Sequence, residues 1–258
     1  MESFAPDTPL VAFVQASPNH GDRRGRAPDS IVLHYTGMPT AEGALSLLCD
    51  PKSEVSAHYF VFENGRIAQL VPEERRAWHA GRSSWFGETD MNSASIGVEI
   101  VNPGHDGGLP PFPEAQIAAV VALCRDIVAR RTIAPDRILA HSDIAPGRKV
   151  DPGERFPWPR LAAEGVGLWR EPAPDAPGLA LGFGATGAAV ATLQRDLAAA
   201  GYGVEQTGVF DPRTKIVVEA FQRRWRPQRV DGVADAGTRA TIAAAASGSG
   251  LSASLRPG

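Results

Sequence analysis

Short apolar runs separated by turn residues predict β-strands in the N-terminal part of the chain. Residues 30–36 (SIVLHYT) and 95–102 (SIGVEIVN) are apolar and rich in β-branched side chains, and neither run has a helical period. The Asn64-Gly65 pair between two further apolar runs predicts a β-hairpin with a two-residue turn. A last short strand is predicted over residues 137–143 (RILAHSD).

Helical periodicity alternates with these strands. Residues 113–131 predict an amphipathic or largely buried helix, because Pro and Glu stand at its start and arginines at its end, as the helix dipole favours. Alternating strands and helices with one hairpin are typical of an α/β domain. We therefore predict a mixed central sheet flanked by helices.

The C-terminal part has a different pattern. Three stretches with apolar residues three and four positions apart predict helices at 188–201, 214–225 and 238–246. The pattern G-V-x-D-x-x-T occurs at 208–214 and again at 232–238, and each copy predicts a turn followed by the start of a helix. This part contains no histidine, so the sequence predicts a small three-helix domain that binds rather than catalyses.

A proline-rich segment without apolar periodicity separates the two parts and predicts a linker. The predicted boundaries are 1–166 for the large domain, 167–182 for the linker, 183–247 for the small domain and 248–258 for a tail.

Composition and charge narrow the classes of function. The 258 residues are 43% hydrophobic and carry a formal net charge of -3, which allows a sizeable core and gives no basic field for nucleic acid. No apolar run approaches the roughly 20 residues of a membrane-spanning helix. The N-terminus has Glu2 and neither Lys nor Arg before Arg23, unlike a signal peptide. We expect a cytoplasmic protein, or a periplasmic one if a leader has been removed.

Two histidines and one aspartate form a candidate zinc site. His34 lies inside an apolar strand, His141 closes another, and Asp151 follows His141 by ten positions across a loop rich in Pro and Gly. A catalytic zinc takes three such ligands and leaves one position for water. Each residue alone has a simpler explanation, as a hydrogen-bonded core histidine or an Asp-Pro-Gly turn. The prediction therefore rests on the set of three.

Two further ionisable residues suit hydrolysis at such a site. Glu99 lies in an apolar strand, where an uncompensated carboxylate would be costly, so it is a candidate general base for a zinc-activated water. Lys149 stands two residues before Asp151 and would stabilise an oxyanion there if the loop is extended. The alternatives are a salt bridge from Glu99 to an arginine and a solvated Lys149.

The segment WHAG contributes Trp78 and His79, an aromatic ring and an imidazole beside a glycine that allows close approach. This combination suits the wall of a substrate cleft, and His58 is a second histidine of this kind. Core positions for both histidines are equally compatible with the sequence.

Four separated motifs together resemble one family. LHYT, SAHYFV, WHAG followed by N-x-x-SIGVEIVN, and AHSDIAPGRKVDPG are similar, in this order, to the zinc-dependent N-acetylmuramoyl-L-alanine amidases of the AmpD/AmiD type. The C-terminal motifs LQRDLAAAGY, TGVFDPRT, AFQRRW and VDGVADAGT resemble the small peptidoglycan-binding domain that often accompanies cell-wall hydrolases. The two resemblances cover nearly all of the chain.

The resemblance implies roles for individual residues. Zn²⁺ would be held by His34, His141 and Asp151, with Glu99 and Lys149 as catalytic residues. The residues implied for the substrate cleft are His58, Trp78, His79 and Asn92.

The implied reaction is hydrolysis of the amide between N-acetylmuramic acid and L-alanine, in cell-wall turnover and recycling. The expected partners are peptidoglycan fragments or the glycan and peptide of the sacculus, with no nucleic acid. Two alternatives stay open at this stage: a non-catalytic muropeptide-binding module, and a zinc peptidase that cuts within the stem peptide.

Overall fold

The computed structural model describes residues 4–253, with side chains described up to residue 247. The chain divides into two compact units. The first comprises Met1–Arg82, Asp90–His141 and Asp151–Leu168, and the second comprises Ser83–Thr89, Ser142–Val150 and Trp169–Gly258.

A six-stranded mixed sheet forms the centre of the first unit. Its strand order is β1-β5-β4-β7-β3-β8, and only the β4–β5 pair is antiparallel. A separate antiparallel pair joins β2 to β6. The strands are β1 (Phe13–Val14), β2 (His20–Asp22), β3 (Ser30–Tyr35), β4 (Tyr59–Val61), β5 (Ile67–Gln69), β6 (Arg75–Ala77), β7 (Ser95–Ile100) and β8 (Ile138–Ala140). The predicted mixed central sheet is thereby confirmed.

Helices alternate with these strands along the chain and continue after the last strand. They are α1 (Ala41–Cys49), α2 (Met91–Ala94), α3 (Glu114–Arg131), α4 (His141–Ile144), α5 (Trp158–Ala163), α6 (Ala188–Ala199), α7 (Pro212–Trp225) and α8 (Ala236–Ala253), with two 3₁₀ turns at His105–Gly107 and Pro135–Arg137. The helix predicted at 113–131 is α3, for which Pro113 is the N-cap residue.

Helix α1 packs on the sheet through apolar side chains, and helix α3 also bonds it through a buried glutamine. The buried face of α1, which includes Ala44 and Leu48, packs with Phe60 and Leu70 in one apolar cluster. Helix α3 contacts β4. The side chain of its buried Gln116 donates hydrogen bonds to the carbonyls of Val61, in β4, and Val101, just after β7, at 3.1 and 2.8 Å. The sheet is therefore flanked by helices, as predicted.

The predicted hairpin forms, but its turn is longer than two residues. Phe62 donates to the Arg66 carbonyl at 2.9 Å, and Gly65 donates to the Phe62 carbonyl at 2.9 Å, so three residues make the loop. Gly65 has φ +82°, and a Cβ there would lie 2.7 Å from the carbonyl oxygen of Ala115. Glycine is required at the third loop position for both reasons, which makes this a type I turn with a bulge rather than a two-residue turn.

The strand predicted at 137–143 is shorter than expected. It ends at Ala140, and His141–Ile144 forms one helical turn. An extended chain would aim the side chains of His141 and Asp143 to the same face, whereas a helical turn separates their directions. Polar Ser142 and Asp143 also favour turns because their side chains compete for backbone hydrogen bonds.

The second unit contains the three predicted C-terminal helices, α6, α7 and α8. The two G-V-x-D-x-x-T copies have the same local structure: Asp211 and Asp235 each accept a backbone hydrogen bond from the threonine three residues later, at 2.7 and 2.6 Å. Each turn is also held by a glutamine of the preceding helix. The amide of Gln194 bonds Gly208 and Val209, and that of Gln222 bonds Gly232 and Val233.

Residues 169–180 contain neither helix nor strand. Within the second unit, Trp169 stacks on Trp225 with ring centroids 5.9 Å apart, and Ala173 donates to the Thr241 hydroxyl at 3.0 Å. The predicted domain boundaries stay predictions. Of the predicted tail, residues 248–253 lie in α8, and residues 254–258 lie outside the described part of the chain.

Among residues 4–253, no helix combines the length and apolar character that crossing a membrane requires.

Candidate metal centre

Three buried side chains converge on one point of the first unit. The Nδ1 atoms of His34 and His141 lie 2.9 Å apart, and the Oδ2 atom of Asp151 lies 3.1 Å from the first and 3.0 Å from the second. The three residues are 1%, 2% and 6% exposed, so water does not screen these atoms. Three electron-rich atoms at this spacing repel one another unless a proton or a cation lies among them.

The sheet explains how two of these side chains meet. His34 lies near the carboxyl end of β3, and His141 follows directly after β8, the neighbouring parallel strand. Leu33 pairs with Ala140 across these strands, so the two histidines occupy adjacent positions at the carboxyl ends of β3 and β8. The carboxyl ends of parallel strands are where α/β sheets place their sites. Asp151 returns to the same edge after residues 142–150.

The outer nitrogens of both imidazoles make hydrogen bonds that determine which tautomer is present. Nε2 of His141 donates to the carbonyl of Ala80 at 3.2 Å. Nε2 of His34 lies 3.1 Å from Nδ1 of His79, whose Nε2 in turn faces the Ser95 hydroxyl at 3.4 Å. With a proton on each outer Nε2, both Nδ1 lone pairs point inward, and imidazoles bind metals in this state.

Burial and neighbouring charges shift the pKa values at the centre. Burial alone would raise the pKa of the Asp151 carboxyl, but the positive charge that His141 and His34 carry when protonated holds that pKa well below its usual value. Burial, with the neighbouring His34 and His58 rings adding to it, holds the pKa of His79 well below its usual value. Asp151 is therefore an anion and His79 a neutral ring.

The donor set has the composition of a zinc site. Two imidazole nitrogens and one carboxylate oxygen are ligands that Zn²⁺ takes, and in a tetrahedral site with bonds of about 2.0–2.2 Å the ligand atoms lie about 3.3–3.5 Å apart. His34, His141 and Asp151 offer one atom each, all within 4.8 Å of one another. Their observed separations are a few tenths of an ångström shorter than this tetrahedral spacing, so the residues present fit the ion.

Glu99 lies beside the centre on the neighbouring strand. Its Cα is the register partner of His34 in the parallel β3–β7 pair, so both side chains leave the sheet on the same face. Glu99 is half-buried rather than buried as its apolar strand suggested. It is thus placed beside the centre with part of its surface open to solvent.

Lys149 belongs to the second compact unit and is half-buried. Its backbone N–H donates to the carbonyl of Ala145 at 3.1 Å, which closes a turn over residues 145–149. Its catalytic role stays a prediction.

His58 is fully buried in the first unit. Its Nδ1 accepts from the backbone N–H of Gly97 at 2.9 Å, and its Nε2 donates to the carbonyl of Arg75 at 3.0 Å. Burial, followed by the charge of Arg23 beside it, lowers the pKa of His58 to about 3. The ring is therefore neutral at ordinary pH. The role of His58 in a substrate cleft stays a prediction.

Of the other three residues implied for the cleft, His79 and Asn92 lie behind the histidines of the centre. His79 is 8% exposed and contacts His34, as described above. Asn92 is also 8% exposed, and its side-chain oxygen accepts from the backbone N–H groups of His79 and Ala80. Trp78 is half-buried, with its backbone N–H bonded to the Ser56 hydroxyl. Their contacts with substrate stay predictions.

Sequence reasoning missed several groups around the centre. The Ala80 carbonyl and the Ser95 hydroxyl complete the hydrogen bonds of the histidines, and Gly97 leaves room for the His79 ring, since a Cβ there would lie 2.4 Å from that ring. A partly exposed chain of Tyr35, His105 and Glu154 was also missed, with contacts of 2.9 and 3.0 Å. Of these groups, only Ser95 and Gly97 could have been found from the sequence, because they stand in the otherwise apolar run SIGVEIV.

Comparison with known proteins adds to this geometry. Residues 24–154 match the N-acetylmuramoyl-L-alanine amidase family, and residues 186–242 match a putative peptidoglycan binding domain. The N-acetylmuramoyl-L-alanine amidase AmiD of Escherichia coli K12 is 42% identical over 229 residues, which cover 81% of this chain and 79% of that protein. The 1,6-anhydro-N-acetylmuramyl-L-alanine amidase AmpD of Enterobacter cloacae is 33% identical over 165 residues, covering 57% of this chain and 86% of that protein.

A solved structure is similar over most of the chain. The complex of Escherichia coli AmiD with the substrate anhydro-N-acetylmuramic acid-L-Ala-D-γ-Glu-L-Lys superposes with a TM-score of 0.71 at 36% identity, covering 88% of this chain and 96% of that one. Every residue predicted for the site lies within the span matched to the amidase family.

Proposed function

The chain belongs to the N-acetylmuramoyl-L-alanine amidase family, and we propose that its amide hydrolysis depends on a zinc ion held by His34, His141 and Asp151. The bond cleaved joins the lactyl group of N-acetylmuramic acid to L-alanine of the stem peptide. The observation that carries the zinc proposal is the convergence of two Nδ1 atoms and one carboxylate oxygen within 3.1 Å of one another in a buried position.

His34, His141 and Asp151 would supply three ligands to the ion, and a catalytic zinc site keeps its fourth position for water. When bound there, zinc would supply Lewis acidity, lowering the pKa of a water molecule and polarising the substrate carbonyl. The chain holds the ligand atoms in place through the bonds on the far side of each imidazole. Burial of the three residues excludes bulk water from the ligand atoms.

Glu99 is the proposed general base. Attack of water on the carbonyl carbon forms a C–O bond, and the proton lost by the water passes to the Glu99 carboxylate. When the C–N bond breaks, Glu99 returns this proton to the departing amine of L-alanine. The support for this role is its position beside His34 on the same face of the sheet.

Lys149 is the proposed cation for the oxyanion that develops on the carbonyl oxygen. The support is the motif GRKVD, which places it two residues before Asp151. One such donor is worth roughly 3 to 4 kcal/mol in other hydrolases.

We propose small anhydro-muropeptides as substrates, in recycling of the wall. The support is the similarity to AmiD, whose solved complex contains such a molecule, and to AmpD. The match of residues 186–242 to a peptidoglycan binding domain supports a second substrate for the same site, the polymeric cell wall.

The test is release of stem peptide from purified anhydro-muropeptide and from intact sacculi, before and after treatment with a chelator and again after zinc is returned. We expect a peptide that begins with L-alanine, lost on chelation and restored by zinc. Products cut within the stem peptide would contradict the amidase reaction, and undiminished release after complete metal removal would contradict the zinc proposal.

Replacing the proposed base tests its role separately. Glu99→Gln keeps the size of the side chain and removes the proton acceptor, so we expect peptide release to fall by about a hundred- to ten-thousandfold with zinc still bound. Glu63→Gln, in the exposed hairpin loop, is the matched control and should leave the rate unchanged. A Glu99→Gln protein as active as the control would remove Glu99 from the mechanism.

A further inference from the structure

The hydrogen bonds behind both proposed zinc-binding histidines lead to one side chain. His34 bonds the ring of His79, and His141 bonds the carbonyl of Ala80. These two acceptors are consecutive residues, in the segment that follows β6. The side-chain oxygen of Asn92 accepts the backbone N–H of His79 at 2.9 Å and that of Ala80 at 2.7 Å.

We propose that Asn92 is a positioning residue that orients both histidines of the zinc site through His79 and Ala80. This inference rests on the proposed zinc site and assigns Asn92 a role different from the substrate contact that the resemblance implied.

Asn92 lies in a buried segment that hydrogen bonds and an ion pair hold in place. It lies in α2, a four-residue helix whose N-cap, Asp90, accepts from the backbone of Ser93. The Asp90 carboxylate also pairs with Arg76 at 2.9 Å. Asn92 itself is 8% exposed. The start of α2 is therefore tied to β6 through Arg76, and the Asn92 carboxamide oxygen faces the backbone of residues 79 and 80.

The geometry requires an acceptor at this position. Both N–H groups point at one oxygen, so a side chain without an acceptor would leave two buried donors without this partner, which is unfavourable. The segment would then move to find other partners. Movement of the Ala80 carbonyl would release Nε2 of His141, and movement of His79 would release Nε2 of His34.

Released imidazoles can adopt either tautomer and a wider range of ring orientations. A ring with its proton on Nδ1 does not offer that atom to a metal. Loss of such outer contacts typically costs 10–100-fold in metal affinity.

The same segment is supported from the other side of His79. Nε2 of His79 faces the Ser95 hydroxyl, which donates to the Met91 carbonyl at the start of α2. Gly97 leaves space for the ring, because a Cβ there would overlap it. His79 is thus held by Asn92 at its backbone and by β7 at its ring.

The first measurement compares the zinc affinity of the full-length protein with that of Asn92→Ala, by competition with a chromophoric chelator. We expect Asn92→Ala to bind zinc about 10–100-fold more weakly. Asn92→Asp retains oxygen acceptors of the same reach and should recover most of the loss. The matched control is Asn19→Ala, another asparagine that is 2% exposed, whose side-chain amide bonds the loop of residues 50–55 rather than the segment of His79 and Ala80.

The second measurement needs no metal. Long-range proton–nitrogen NMR spectra of the metal-free protein report the tautomer of each histidine. We expect His34 and His141 to carry their proton on Nε2 in the wild-type chain and in Asn19→Ala, and to show mixed tautomers in Asn92→Ala.

The outcomes separate the two proposals. Unchanged affinity and tautomers in Asn92→Ala would overturn the positioning role, as would an affinity loss no larger than that of Asn19→Ala. A wild-type chain that binds no zinc would contradict the proposed zinc site, and the tautomer spectra would then decide on Asn92 alone.

Discussion

At the scale of single residues, the centre depends on both nitrogens of each imidazole. The inner Nδ1 atoms of His34 and His141 face Asp151, and the outer Nε2 atoms are bonded to His79 and Ala80. Each outer bond leaves the inner lone pair available for a metal. Substitutions behind the rings should therefore act on metal binding even though they do not touch the ligand atoms.

Gly97→Ala tests how closely His79 must approach the sheet. The added methyl group would meet the His79 ring at 2.4 Å, so the ring must move away from both the strand and His34. We expect weaker zinc binding and a loss of about 1–3 kcal/mol in the free energy of unfolding, as for other overpacked sites. The measurements are chelator competition and urea unfolding. Gly182→Ala, where nothing lies within 4 Å of the added atom, should change neither value.

The grouping of His34, His141 and Asp151 as a possible metal site could be predicted from the sequence, whereas the hydrogen bonds that support it could not. His34, His141 and Asp151 are unusual in apolar strands or in a Pro/Gly-rich loop, and their residue types limit their chemistry. The Ala80 carbonyl gives no such signal, because every residue has a carbonyl group. The same holds for the two backbone N–H groups that bind Asn92, since their direction depends on the folded path of the chain.

At the scale of elements, one buried carboxylate joins helix α3 to the sheet. Arg130, near the end of α3, binds both oxygens of Glu73 at 2.8 Å, and Arg131 binds one at 2.8 Å. The hydroxyl of Tyr59, in β4, donates to the same carboxylate at 2.6 Å. Burial would raise the pKa of Glu73, but the hydrogen bonds from Arg130, Tyr59 and Arg131 outweigh it and lower the pKa to about 2.

This depressed pKa predicts how stability depends on pH. An unfolded glutamate has a pKa of about 4.3, so Glu73 contributes its full stabilisation above that pH and loses it as the pH falls toward about 2. Glu73→Gln should be less stable at neutral pH by about 3 kcal/mol, as when one partner of a buried pair is removed, and its stability should fall less steeply on acidification. Urea unfolding across this pH range measures both effects.

The neighbouring Glu74 supplies the control for this pH prediction. Its side chain is 74% exposed and pairs with Arg131 at the surface, where ion pairs contribute little. Glu74→Gln should follow the wild-type pH profile. If Glu73→Gln also follows it, the buried network does not link α3 to the sheet in the way described.

Elements at the edge of the sheet were harder to predict than its centre. The central β3 and β7 follow their apolar runs closely. At the edge, β8 stops at Ala140 because His141–Ile144 turns into a helix, and apolar periodicity cannot show where a three-residue strand ends. The hairpin turn was misjudged for a related reason, since Asn-Gly is compatible with loops of two or three residues.

At the scale of the whole molecule, the compact units do not follow the order of the chain. Residues 83–89 and 142–150 group with the C-terminal helices, although they lie within the span matched to the amidase family. In this unit Asp143, which is fully buried, pairs with Arg224 at 2.7 Å and accepts from the Tyr202 hydroxyl at 2.7 Å. Composition along the chain predicts linkers but cannot show that an internal segment groups with distant helices.

Arg224→Met tests the importance of this ion pair. The variant would remove the Arg224 guanidinium from the buried Asp143 carboxylate, so we expect a loss of about 3–5 kcal/mol in the free energy of unfolding. Adding Asp143→Asn should restore part of this loss because the buried charge is then gone. Arg195→Met is the control, since Arg195 is 61% exposed and pairs only with its neighbour Asp196 among the described residues. Equal stability of the Arg224 and Arg195 variants would contradict the importance of the pair.

We propose that His34, His141 and Asp151 hold one zinc ion that amide hydrolysis requires. The most direct measurement is a titration of the metal-free protein with zinc, in which release of L-alanine-terminated peptide from anhydro-muropeptide is followed at each addition. We predict that activity rises linearly and reaches its plateau at one zinc per chain, and that Asp151→Ala needs a large excess of zinc for any release. Full activity in the metal-free protein, or an Asp151→Ala titration identical to the wild type, would contradict a zinc ion held by these three residues.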